Sequence, residues 1–217
     1  MQSQLTLVER LPSFFVEPGV LQPTSASKLL YLTPDNVKRC AITLDLKDSE
    51  QTQYIVNSNS ELTYMHVRRP YDPPDQPLAV LHRRDFLADK ISFCGGEKIK
   101  VKDWLKPLKA FSPFPVAFEA NDTMYVWDAS IVGQLSMYKA SEPDTPIGWF
   151  QSSRKLVMDG VPTVLPAFLV LQPDAADIQD LTVISFLILE HKIRMINKRT
   201  ELISGRAIHS GSISATT

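Results

Sequence analysis

The chain lacks several of the patterns that would name a chemistry. No Gly-rich phosphate loop occurs, since its one Gly-Gly pair, Gly95-Gly96, sits between two alternating runs as a hairpin turn does. No apolar run is long enough to cross a bilayer as a helix. Only two cysteines are present, Cys40 and Cys94, too few for a disulfide framework and without a metal-binding spacing. They predict two reduced thiols in a cytosolic protein. Neither sign of charge dominates, with 23 Lys and Arg against 24 Asp and Glu. Global charge therefore predicts no nucleic-acid partner, and an electrostatic partner would have to be read by a local patch. The first ten residues carry no basic n-region and no apolar h-region, so no secretory signal is expected. No lipidation motif, fixed-period repeat or shift in composition is visible, and 217 residues fit one all-β domain.

What is present is a long apolar helix at the end of a chain otherwise built of strands. Residues 175–197 contain Leu181, Val183, Ile184, Phe186, Leu187, Ile188 and Leu189, then Ile193, Met195 and Ile196. Only Thr182 and Ser185 interrupt the first stretch, while Asp180 and Glu190 close its ends. A helix apolar on all sides must be surrounded, and Leu181, Ile184, Leu187 and Ile188 are all expected to be buried. Asp174 or Asp177 could cap its start, where a carboxylate meets orphan amides and the positive dipole end.

Short alternating runs recur every eight to twelve residues from Leu29 onward, roughly at 28–33, 41–46, 52–57, 62–69, 78–84, 90–94, 97–102, 115–119, 123–128, 134–139, 146–151 and 163–171. Asn121-Asp122 and Asn57-Ser-Asn-Ser60 supply further hairpin turns, and the Pro-rich stretch 70–77 cannot continue a strand. The pattern predicts a mainly β (α+β) fold, an approximately twelve-stranded closed β-barrel around a central C-terminal hydrophobic helix. Residues 1–27 are expected to be an irregular lead-in, 28–197 the barrel domain, and 198–217 a disordered tail.

Four segments carry a family resemblance: Leu78-Ala-Val-Leu-His82 leading to Lys90-Ile-Ser-Phe-Cys-Gly95, Asp122-Thr-Met-Tyr-Val-Trp127, Pro146-Ile-Gly-Trp-Phe150, and Asp180 through Lys192. Over residues 28–197 the chain resembles the tubby C-terminal-like superfamily, which includes tubby proteins, phospholipid scramblases and plant LURP-one-related proteins. It is most similar to an uncharacterised tubby-like family of mushroom-forming fungi. The resemblance implies a non-enzymatic protein that contacts membranes or partners, with no cofactor. The tubby phosphoinositide-binding motif has no match among these residues.

The candidate anion-binding residues are Arg68, Arg69, Arg83, Arg84, Lys98, Lys100 and Lys102. In Lys98-Ile-Lys-Val-Lys102, strand alternation would set three ammonium groups on one face. Such a row would suit anionic phospholipid headgroups or an acidic partner, at roughly 1 kcal/mol per cation near a membrane. The competing reading is a solvated strand face, since lysines also guard sheet edges. His66 and His82 lie on strands joined by one loop and form an alternative polar cluster. They would mark an enzyme or small-molecule site at the barrel mouth, although no further ligands stand at a metal-binding spacing. Trp104, Trp127, Trp149, Tyr125 and Phe150 read as core or wall aromatics, and His191 as helix-end electrostatics.

Overall fold

The structure is a computed structural model and describes residues 6–7, 21, 23–73, 75–84, 87–131, 134–158 and 161–210. Most of the 1–27 lead-in and residues 211–217 of the tail lie outside the described residues.

In chain order the strands are β1 (Thr6–Leu7), β2 (Lys28–Thr33), β3 (Cys40–Thr43), β4 (Thr52–Ser58), β5 (Tyr64–Arg68), β6 (Ala79–His82), β7 (Lys90–Phe93) and β8 (Ile99–Lys100). After helix α1 (Val101–Trp104) come β9 (Lys106–Pro107), β10 (Val116–Ala120), β11 (Thr123–Ile131), β12 (Gln134–Lys139), β13 (Glu142–Gln151), β14 (Arg154–Met158), β15 (Val161–Leu165) and β16 (Ala167–Leu171). A 3-10 segment, Pro173–Ile178, leads into helix α2 (Gln179–Ser210).

Thirteen strands form one antiparallel sheet in the order β8-β7-β6-β5-β4-β3-β2-β16-β13-β12-β11-β10-β9, and β1-β15-β14 form a small second sheet. The expected closed barrel is therefore not formed. The terminal strands β8 and β9 share no ladder. Each is two residues long, α1 intervenes between them, and Pro107 has no amide proton to offer a neighbour. The sheet stops where its two ends come within one helical turn of each other along the chain.

Local turn chemistry explains much of the sheet. At Asn121-Asp122 both residues have positive φ, 48° and 57°, the twist a two-residue hairpin requires, and Ala120 pairs with Thr123 across it. After β7 the positive-φ pair is Cys94-Gly95, closed by Gly96 N–H donating to Phe93 O (2.8 Å), one residue earlier than the Gly-Gly pair suggests. Asn59 holds the β4–β5 loop, its Oδ1 accepting from Tyr64 N–H (2.9 Å).

The first half of α2 is the centre of the core. Residues 182–187 are all buried, and six consecutive helical positions cover every side of a helix, so protein surrounds this stretch although the sheet is open. Strands on either side of β12 meet it. Phe150 of β13 packs on Phe186 at 4.7 Å, and Trp127 Nε1 of β11 donates to Ser185 Oγ (2.9 Å). The two polar interruptions are satisfied within the helix: Thr182 Oγ1 donates to Ile178 O and Ser185 Oγ to Thr182 O. Ile184 and Leu187 are buried as expected, whereas Leu181 and Ile188 stay partly exposed.

The start of α2 is held differently from the expected cap. Asp174 pairs with Lys139 instead. Asp180, in the first turn, accepts from Tyr54 Oη (2.6 Å) and pairs with Arg69. Gln179 bridges Lys28 Nζ (2.6 Å) and Tyr54 Oη (2.7 Å). The helix also runs to Ser210, through residues 198–210 of the expected disordered tail. Once a helix is nucleated by a buried half, each further residue adds a backbone bond at little cost, and Lys198, Arg199, Glu201 and Leu202 are good helix formers.

Candidate anion-binding site

The outward face of β5 through β8 carries part of the predicted set. Alternation turns Met65 and Val67 inward and Tyr64, His66 and Arg68 outward. Register then lines up Tyr64, His82, Lys90 and Lys100 across four strands, with Val80 opposite His66. His66 and His82 are thus diagonal neighbours on one face, as their strand positions predict. The Tyr64 and His82 rings meet edge to face at 4.7 Å. Burial first, then Lys98, His66 and Lys90, push the pKa of His82 down. The pair is set among cations, and the described residues contain no group of three His, Cys, Asp or Glu placed to hold a metal.

Lys98, Lys100 and Lys102 do not form the predicted row. Lys98 precedes β8, Lys100 lies on it, and Lys102 lies on α1, where the backbone has turned helical and alternation no longer applies. All three are exposed. The exposed segment continues through Lys106 and Lys109, and it carries Ile99, Leu108 and Phe111 as exposed apolar side chains. Phe111 is fully exposed (109%) at a left-handed backbone position (φ 63°), so its ring projects from the loop with no cover among the described residues. Arg69 is committed to Asp180 at the start of α2.

Arg83 and Arg84 follow the end of β6 and turn toward a cavity of about 730 Å³ between the seam of the sheet and the second half of α2. Five cationic side chains line it, Arg83, Arg84, Lys102, Lys192 and Arg199, against the carboxylates Glu61 and Asp89. Arg83 is half-buried, and its Nη1 donates to His191 Nε2 (2.6 Å). An arginine only donates, so Nε2 is the acceptor and the imidazole proton sits on Nδ1. Burial, with Arg83 next in weight and then Lys38 and Arg194, pushes His191 down to about 4, which keeps it neutral at pH 7. Burial also lowers the pKa of Arg83, opposed by Asp89. Among the described residues Arg83 makes no ion pair.

His191 is the residue that sequence reasoning placed in the wrong role. Its adjacency to the helix end suggested dipole compensation, and only its contact with a residue 108 positions away gives it another. The aromatics read as core are so: Trp127, Trp149, Tyr125 and Phe150 are buried, and Trp104 packs half-buried against Phe93 and Phe118. Both cysteines are free thiols; Cys40 is buried and its pKa is pushed up to about 12 by burial and by Asp35. No described helix is long and apolar enough to cross a membrane.

No curated protein and no solved structure matches the chain. One family model does, described as Family of unknown function (DUF6593), over residues 35–195. That span takes in the sheet from β3 onward and α2 as far as Met195, hence the buried half of the helix and both Arg83 and His191. The match covers well over half of the sequence, and the chain belongs to the DUF6593 family.

Proposed function

We propose that the protein is a non-enzymatic binding protein, cytoplasmic and peripheral at membranes, that docks on anionic phospholipid surfaces. The observation that carries this reading is the segment 98–111. It presents five exposed lysines, 98, 100, 102, 106 and 109, against one acid, Asp103, with Ile99, Leu108 and Phe111 exposed among them. Exposed apolar side chains rimmed by charge are the pattern of an interaction surface. Here each half of the pattern has a use at a bilayer. Lysines gain roughly 1 kcal/mol each in the potential of an anionic leaflet, and an aromatic ring at a loop tip can enter the headgroup layer. Kinship with the tubby-like superfamily is part of the same proposal and points toward membranes as well.

Lysines on β8 and β9 also protect the two edges of the sheet, and that role alone would need no lipid. Vesicle binding separates the two. The wild type should pellet with phosphatidylserine vesicles at low salt and release as ionic strength rises, because screening confines the attraction to about 8 Å at physiological salt. The Lys98→Glu, Lys100→Glu, Lys102→Glu triple variant should lose pelleting while keeping its circular dichroism spectrum, since none of the three is buried. Absence of wild-type pelleting at low salt, or equal pelleting by the folded variant, would eliminate the lipid reading. The enzyme reading at His66 and His82 has less support: neither histidine lines the cavity, and both stand on an open face beside lysines.

A further inference from the structure

The segment that carries the membrane reading also lines the cavity, through Val101, Lys102, Leu105 and Pro107. We propose that the cavity binds a single anionic amphiphile, one unbranched alkyl chain bearing one carboxylate or phosphate head. This goes beyond surface docking and stands without it.

Two features of the lining point to that ligand. The first is chemical contrast. The floor and walls are made by Leu81, Val101, Leu105, Val116, Ile188 and Leu189, whose side chains carry no hydrogen-bonding atom. Leu81, Leu105, Val116 and Leu189 are buried, so the surface they offer is the wall of a core and not an outer patch. The cations come from the loop after β6, from α1 and from the second half of α2, and Arg84, Lys102, Lys192 and Arg199 are exposed where those four apolar residues are buried. A sugar or a base would find nothing to bond on these six side chains, whereas an alkyl chain suits them. The volume lies within the range of small-molecule sites.

The second feature is Arg83. A half-buried guanidinium is ordinarily paired, because taking a charge from water is costly without a partner. Among the described residues Arg83 makes no ion pair; its side chain donates to a neutral histidine, which orients the group without cancelling its charge, and Asp89 of the same cavity acts on it only from beyond ion-pair distance. Its remaining N–H donors suit the two oxygens of a carboxylate or phosphate. Arg84 and Lys192 line the same cavity and can share the head's charge. The Arg83–His191 contact therefore makes a prepared anion site at the border between the polar rim and the apolar floor.

Calorimetric titration of the full chain with alkanoates and alkyl phosphates of eight to sixteen carbons, each below its critical micelle concentration, tests the assignment. Affinity should rise by up to about fourfold per methylene and then level off once the cavity is filled. Partition into a nonspecific surface would show no such plateau. An alcohol of the same length should bind at least tenfold more weakly than the acid. Arg83→Gln should lose at least tenfold for the acid and little for the alcohol. Met195→Trp, at the exposed mouth, should shorten the chain length at the plateau without threatening the fold. Binding of one head type alone supports the site and identifies its head. Phe111→Ser should abolish vesicle pelleting and leave amphiphile binding intact, so the two readings fail separately. No binding of either acid series, or equal binding of acid and alcohol, or an unchanged Arg83→Gln titration, would overturn the inference.

Discussion

The two halves of α2 belong to one helix and live in different surroundings. Residues 182–187 are buried on every side, while Met195, Ile196 and Leu202 are exposed, at 37%, 38% and 61%. In the first half apolar packing decides everything, and its two polar residues bond back to the helix itself. In the second half Met195, Ile196, Lys192 and Arg199 line a cavity. Thr182 to Leu187 carry no charge and are core, whereas Met195 and Ile196 stand among Lys192 and Arg199 at that open cavity. What separates them is whether the sheet reaches around. It does so at the level of β11 to β13, and it stops at the seam beside residues 188–199.

The sharpest way to break this contrast is Phe186→Ala, which should cost roughly 3–5 kcal/mol in chemical denaturation. Phe186 has no exposure and its partner Phe150 would be left facing a void. A loss below 1 kcal/mol would mean that the first half is not the core.

Arg194→Ala probes the border between the halves. Arg194 Nε donates to Glu190 Oε1 (2.8 Å), Nη1 donates to Asp35 O (3.1 Å), and Nη2 pairs with the Asp35 carboxylate. The guanidinium also lies 5.9 Å from the Phe150 ring centre. Its removal would strand two largely buried carboxylates, and burial already raises the pKa of Glu190 despite the arginine. The expected cost is about 2 kcal/mol, between the values for exposed and fully buried pairs. A fall in melting temperature that grows toward high pH, where both carboxylates are ionised, would identify charge as the cause.

The smallest effect belongs to the far end. Deletion of residues 201–217 should change stability by no more than about 0.5 kcal/mol, because Glu201 and Leu202 are exposed. A loss comparable to that of Phe186→Ala would erase the distinction between the halves.

Much of the sheet was legible because two local signals agreed. Lys28–Thr33 and Gln134–Lys139 match their predicted runs, and the Asn121-Asp122 turn stands where its residues favour positive φ. Strands without alternation escaped: β14 reads Arg-Lys-Leu-Val-Met, and β9 is two residues with a proline. Closure escaped for a different reason. Whether terminal strands pair depends on the helical turn at Val101–Trp104, and Lys-Val-Lys there reads equally well as strand. Of the candidate site, the outward cluster of His66 and His82 followed from periodicity alone. The cavity could not, because its lining comes from chain segments near residues 61, 83, 102, 116 and 190. Only Arg83 and Arg84, at the end of a strand and followed by no alternation, hinted that charge leaves the sheet there.

The strand order also sets a sequence of events in time. From β2 to β8, neighbours in the sheet are neighbours in the chain, and the same holds from β9 to β13. The two meanders are stitched in the middle by β16, which pairs with β2 on one side and β13 on the other. Leu169 opposite Leu30 joins residues far apart in the chain. Of these elements a ribosome delivers β16 and α2 last. Until then the first meander has no β16 along β2 and no helix against its apolar face, and the nascent chain carries an open edge beside uncovered apolar residues. The strand β16 and the helix after it are thus the part that turns two half-sheets into one folded unit.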